Sequence, residues 1–163
     1  MNTTDTTLDV RAVPAETLAE LRRLDDSGRC HPVTVTEGAG APLRCCLTRA
    51  RAGERVVLLS YAPLRRWAEA AGCDPGAYLE TGPVFVHADP CEGFEGGWPD
   101  GFHGGQRVVR AYSKDGRILG GRVGEPDELP KLAAELLADP EIAVVHVRAV
   151  EYGCFMHEVR RAA

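Results

Sequence analysis

Ile142-Ala143-Val144-Val145-His146-Val147-Arg148-Ala149-Val150, followed by Glu151-Tyr152-Gly153 and then Cys154-Phe155-Met156-His157-Glu158-Val159-Arg160, is the stretch on which the fold turns. Two β-branched runs separated by a short glycine-bearing turn predict a closing pair of antiparallel strands, over 142–150 and 154–160. The pleat sends Val145, Val147 and Ala149 to one face, which is apolar throughout. It sends Val144, His146, Arg148 and Val150 to the other, so an imidazole and a guanidinium sit side by side next to the strand that carries Cys154. A solvated outer face explains that pair most simply. A polar site shared with the partner strand is the alternative, because unpaired charge is expensive to bury.

Working back from this hairpin, Leu129, Leu132, Ala133, Leu136 and Leu137 follow helical spacing, and Pro126 and Pro130 fall in the opening turns, which predicts a helix over 125–138. Lys114-Asp115-Gly116 separates two strand-like runs, 106–113 and 117–123, and predicts a second hairpin. Further strands are predicted over 32–36, 55–61 and 82–88, and 43–47 reads as extended. Helices are predicted over 14–24, with Leu18, Leu21 and Leu24 aligned, and over 63–71, with Leu64, Trp67 and Ala71 aligned. Short connections between strands and helices at intervals predict an α+β fold, a mostly antiparallel sheet with about three helices on one side. Residues 1–12 read as a flexible N-terminus and 13–163 as one α+β domain.

Between the strand ending near Ala88 and the run starting at Gln106 lies a segment rich in glycine: Gly93, Gly96, Gly97, Gly101, Gly104 and Gly105. A loop of this length inside a small domain suggests a lid or binding loop. It also carries Phe94, Trp98, Phe102 and His103, unusual residues for a mere linker.

A chain of 163 residues with 44% hydrophobic and 26% charged content is ordinary for one globular domain. Its net charge of −5 disfavours a nucleic-acid partner, which needs a basic face. The N-terminal residues have no export pattern and no apolar run approaches a membrane span, so a cytoplasmic location without a membrane partner is expected. The six cysteines are therefore expected to be reduced, and no C-x-x-C pair is present. P-loop, G-x-G-x-x-G, G-x-S-x-G and H-E-x-x-H signatures are all missing, so no nucleotide cofactor is implied.

His87, at the end of the predicted strand, and Cys91, four residues on, can serve one metal ion or an activated thiol. A surface histidine beside a buried cysteine is the blander alternative. Cys45-Cys46 on an extended segment would point one thiol inward and one outward. His31, His103 and His157 read as surface histidines. Arg107 and Arg110 read as solvated strand arginines, though either can grip a carboxylate or phosphate.

The segments Pro42-Leu43-Arg44-Cys45-Cys46-Leu47, Tyr78-Leu79-Glu80-Thr81-Gly82-Pro83-Val84-Phe85-Val86-His87 and Val145-His146-Val147-Arg148 with Tyr152-Gly153-Cys154-Phe155 resemble the bacterial family known as domain of unknown function 1203. The resemblance implies no reaction, since that family has none assigned. It marks Arg44, Cys46, Thr81, His87, Cys91, His146 and Cys154. Where the family pattern has its first cysteine this chain has Leu43, and Cys45 supplies a thiol two positions later.

Three functional expectations result. In the first, a small-molecule enzyme or ligand-binding protein has its pocket under the glycine-rich loop. His87 or His146 is then acid or base, Cys91 or Cys154 the nucleophile, and Arg44, Thr81, Arg148 and Tyr152 bind substrate. In the second, Cys46, Cys91, Cys154 and His87 hold a transition metal. In the third, Phe94, Trp98 and Phe102 form an exposed patch for a protein partner. The first two share one requirement, that His87, Cys91, His146 and Cys154 meet in space. Whether the chain is catalytic, and its oligomeric state, are not legible in the sequence.

Overall fold

A computed structural model describes residues 7–38 and 40–163. Its elements in chain order are β1 (Leu8–Arg11), α1 (Ala15–Arg23), β2 (Thr34–Val35), β3 (Pro42–Leu43), β4 (Thr48–Arg49), β5 (Arg55–Tyr61), α2 (Pro63–Ala71), β6 (Gly82–His87), β7 (Arg107–Ser113), β8 (Ile118–Gly124), a 3-10 turn (Pro126–Glu128), α3 (Leu129–Leu137), β9 (Ile142–Ala149) and β10 (Phe155–Arg161). The α+β class expected from the sequence is what forms, and the expected sheet is divided in two. One has the order β1-β10-β9-β7-β8, the other β2-β5-β6-β3-β4. All pairings are antiparallel except β3 with β6, which touch in parallel at Leu43 and Phe85.

The closing hairpin sits at the centre of the first sheet, and β9 is covered on both faces. Val145, Val147 and Ala149 face the core built with Leu129, Ala133 and Leu137 of α3. Val144, on the opposite face, joins Tyr112 and Leu64 of α2. Helices α2 and α3 therefore occupy opposite faces of this sheet. Each fully buried leucine among them contributes roughly 1.5–3 kcal/mol. A reciprocal capping box of Glu125 and Glu128 opens the 3-10 turn that leads into α3, the Glu125 N–H donating to the Glu128 carboxylate at 2.9 Å.

Coverage on both faces overturns the solvated reading of the His146–Arg148 face. His146 has no exposed surface and its Nε2 lies 3.2 Å from Glu158 Oε1 on the neighbouring strand. Arg148 pairs with Glu80 at 2.8 Å, and Arg110 meets the same carboxylate at 3.0 Å.

Residues 1–6 and Ala39 of the expected 38–42 turn lie outside the described residues. Within the N-terminal segment read as flexible to residue 12, Leu8–Arg11 pairs in register with Arg161–Glu158 and forms the sheet edge. The expected aromatic patch is absent. Phe102 is 1% exposed, and Phe94 and Trp98 pack against the core of the first sheet. His103 and His157, read as surface residues, are buried there too. Among the described residues no helix is long and apolar enough to cross a membrane.

Candidate metal centre

Four residues from three places in the chain converge at one end of the second sheet. Residues 43–47 are not extended as expected. The chain turns back between β3 and β4, with Leu47 N–H donating to Leu43 O at 2.9 Å and Leu47 in the left-handed region at φ 56°. A turn, unlike a strand, does not alternate its side chains, so Cys45 and Cys46 present both sulfurs to the same side. Strand β6 runs beside β3 and ends at His87. The His87 N–H donates to Cys45 Sγ at 3.2 Å, and Arg22 of α1 pins the strand exit by donating to His87 O at 3.0 Å. Cys91 follows at the start of the glycine-rich loop.

The Cys45, Cys46 and Cys91 sulfurs and one imidazole nitrogen of His87 all lie within 4.8 Å of one another, so the four residues can hold a metal ion. Cys45 Sγ is 3.9 Å from Cys46 Sγ, and His87 Nδ1 is 3.4 Å from Cys45 Sγ and 3.8 Å from Cys46 Sγ. A tetrahedral ion about 2.3 Å from sulfur and about 2.0 Å from nitrogen needs edges of about 3.8 Å and about 3.5 Å, respectively. The thiols and imidazole thus stand near the spacing a tetrahedral ion demands.

The surroundings prepare the donors. Cys45 donates its S–H to Cys46, the Thr48 hydroxyl lies 3.0 Å from Cys46 Sγ, and His87 is close by; these favour the Cys46 thiolate and hold its pKa well below the usual thiol range. The same bond to Cys46, with burial, pushes Cys45 up. The other face of the imidazole is fixed as well. Its Nε2 meets the Glu54 carboxylate, which is itself held by the Arg51 N–H at 2.9 Å. The bond to His87 keeps Glu54 below the ordinary carboxylate range. With Nε2 carrying the proton toward Glu54, the Nδ1 lone pair is left facing the sulfurs.

Of the residues singled out in the sequence, His87, Cys91 and Cys46 meet here. Cys154 does not join them; the vicinal Cys45 takes the place expected for it. Glu54 and Thr48 carried no sequence signal of their own. The expectation that His87, Cys91, His146 and Cys154 share one cavity fails, because the central strand β9 buries His146 between its two covered faces. Thr81, Arg148, Tyr152 and Cys154 line a cleft of about 170 Å³ beside Glu80. Tyr152 and Cys154 also line a larger cavity of about 790 Å³, together with Arg44. Arg44 is 3% exposed, and burial, with Arg107 and Arg49 adding repulsion, lowers its pKa to about 10.

The fold and cluster define an α+β protein with a thiol–imidazole centre able to hold a metal. The chain belongs to the family described as protein of unknown function (DUF1203), whose model matches residues 40–161. No curated protein and no solved structure matches it. The matched span contains all four cluster residues and Glu54, whereas β1 and α1 fall outside it.

Proposed function

We propose that this protein binds a tetrahedral transition-metal ion, zinc(II) in first place, through Cys45, Cys46, Cys91 and His87 Nδ1. The observation that carries the reading is the convergence within 4.8 Å of three sulfurs and one imidazole nitrogen, the Cys45, Cys46 and His87 edges near tetrahedral length and the opposite nitrogen of His87 already held by a carboxylate. Three thiolates and an imidazole suit zinc, copper(I) or iron, and a full set of four protein donors favours zinc in a closed site. A carboxylate on the far nitrogen of a ligating histidine is the usual second support of such a site. The ion would tie the start of the glycine-rich loop, through Cys91, to the β3–β4 turn and the end of β6. Its contribution would then be to folding and loop order, with no position left open for catalysis.

Elemental analysis of protein purified without a histidine tag tests this directly. Close to one zinc per chain is expected, falling away in Cys45→Ser and Cys91→Ser. Less than about a tenth of an equivalent of any transition metal, in protein refolded with zinc under reducing conditions, would reject the reading.

A further inference from the structure

The cavity of about 790 Å³ is lined from both sheets, and none of the four cluster residues borders it. Three arginines line it: Arg44, from the β3–β4 turn; Arg49, from β4; and Arg107, from the start of β7. Arg44 and Arg107 are buried at 3% and 7% exposure. Among the described residues none of the three has a carboxylate within ion-pair distance. Glu151, on the rim, is exposed and makes no such pair. Buried cationic charge without a counter-ion is costly, and a protein keeps it where something else supplies the negative charge.

The guanidinium groups are also held in position. Arg44 donates to Pro42 O at 2.6 Å, Phe155 O at 2.8 Å and Met156 Sδ at 3.6 Å. Arg49 donates to Gly40 O and Phe102 O, both at 2.7 Å. Arg107 donates to Gln106 O at 3.0 Å and, through Nε, to His103 Nδ1 at 3.1 Å. Each guanidinium has five N–H donors, so every one of the three retains donors beyond these bonds. The acceptors fix orientation without neutralising charge, which is how a preorganised anion site differs from a structural ion pair.

His103 acts as a positioning residue. Because Arg107 Nε donates to its Nδ1, its proton sits on Nε2 and points at His157 Nε2, 2.9 Å away. His157 then carries its own proton on Nδ1, a buried atom without a partner. The glycine-rich loop forms one wall through Gly104 and Gly105, and a Cβ at Gly104 would come within 3.3 Å of Arg49 Nη2. Leu58, Phe85 and Met156 supply an apolar side to the same cavity.

We propose that this cavity binds a small organic anion, its carboxylate or phosphate seated among Arg44, Arg49 and Arg107 and its apolar body against Leu58, Phe85 and Met156. Arginine suits both headgroups through paired N–H donors, so the two are separate arms of one test. The full-length, metal-loaded protein is titrated calorimetrically with phenyl phosphate and with benzoate, and with benzyl alcohol as the uncharged control. Saturable binding of at least one anion and none of benzyl alcohol is expected, and the tighter anion identifies the headgroup. Arg107→Gln should weaken that binding about tenfold or more. Leu58→Glu places a carboxylate at a strand position that is 44% exposed, so it should keep the melting temperature and weaken anion binding to a similar degree. No saturation by either anion up to about 10 mM, or unchanged affinity in a folded Leu58→Glu protein, overturns the proposal.

Discussion

Replacing Glu54 by glutamine tests the metal centre without touching a ligand. Glutamine keeps the length of the side chain and can still accept a hydrogen bond from His87 Nε2, but it removes the negative charge that faces the ligating imidazole. Removal of such a carboxylate typically costs 10–100-fold in metal affinity, or about 1.4–2.7 kcal/mol. Here the Glu54 and His87 side chains are 29% and 21% exposed. Water already screens part of the interaction, which puts the expected loss at the lower end, about tenfold. The assay is competition for zinc against a chromophoric chelator at fixed pH, with cobalt(II) absorption as a second readout. The thiolate-to-cobalt band should persist in Glu54→Gln and lose intensity in Cys91→Ser. A zinc affinity identical to that of the parent protein in Glu54→Gln, with Cys45→Ser also unaffected, would refute both the ligand set and the role of the carboxylate.

Metal should shield the exposed Cys91 from alkylation while leaving the exposed Cys30 reactive, which peptide mass spectrometry resolves; equal labelling of Cys91 with and without zinc counts against the site. Burial lowers His103 and His157 to about 3, so the folded protein declines protons that the unfolded chain accepts near pH 6.5. Their contribution is therefore complete above pH 6.5 and lost as the pH falls toward 3, at up to about 1.4 kcal/mol per pH unit for each. Denaturation between pH 6.5 and 5 should show this slope and His157→Leu should roughly halve it; parallel slopes refute the assignment, and metal release, common to both proteins, cancels in the comparison. Gly116→Ala in the β7–β8 turn should destabilise by about 1–3 kcal/mol in chemical denaturation, because φ is 76° and the new Cβ would lie 2.8 Å from Pro75 Cβ. An unchanged midpoint would mean that this turn is free to rearrange.

What was legible in the chain is what periodicity can encode. The 55–61 strand, the 63–71 helix and both long hairpins follow from alternation, helical spacing and glycine turns, and form within a residue or two of their expected bounds. Strand β1 was missed because Leu8–Arg11 is an edge strand whose stability comes from β10, some 150 residues away in sequence. The site was half legible for a related reason. His87 and Cys91 stand near the end of a recognisable strand, where local order reveals them. Cys45 and Cys46 were misjudged because the turn that aims both thiols one way is stabilised by tertiary contacts, Arg44 N–H to Phe85 O among them. Alternation also could not say that β9 is roofed on both sides, and so it left His146 a candidate for a pocket it does not reach.

The metal cluster and the basic cavity are built from the same two pieces of chain. Arg44 and Cys45 are consecutive in the β3–β4 turn, and the hairpin that offers Cys45 and Cys46 to one side offers Arg44 and Arg49 to the other. The glycine-rich loop begins at the cluster with Cys91 and ends at the cavity with Gly104 and Gly105. A two-residue strand pair such as β3–β4 has little stability of its own, since isolated hairpins are marginal even at greater length. An ion clasping the turn at two adjacent residues would add to the contacts that already orient Arg44 and Arg49, and so lower further the entropy an anion loses on binding them. By the same reciprocity, an anion drawing the two guanidiniums together would hold the thiols in their ligating arrangement. Under the two proposals, a short hairpin whose side chains are oriented by its tertiary contacts would stand between two binding sites, each reinforcing that order.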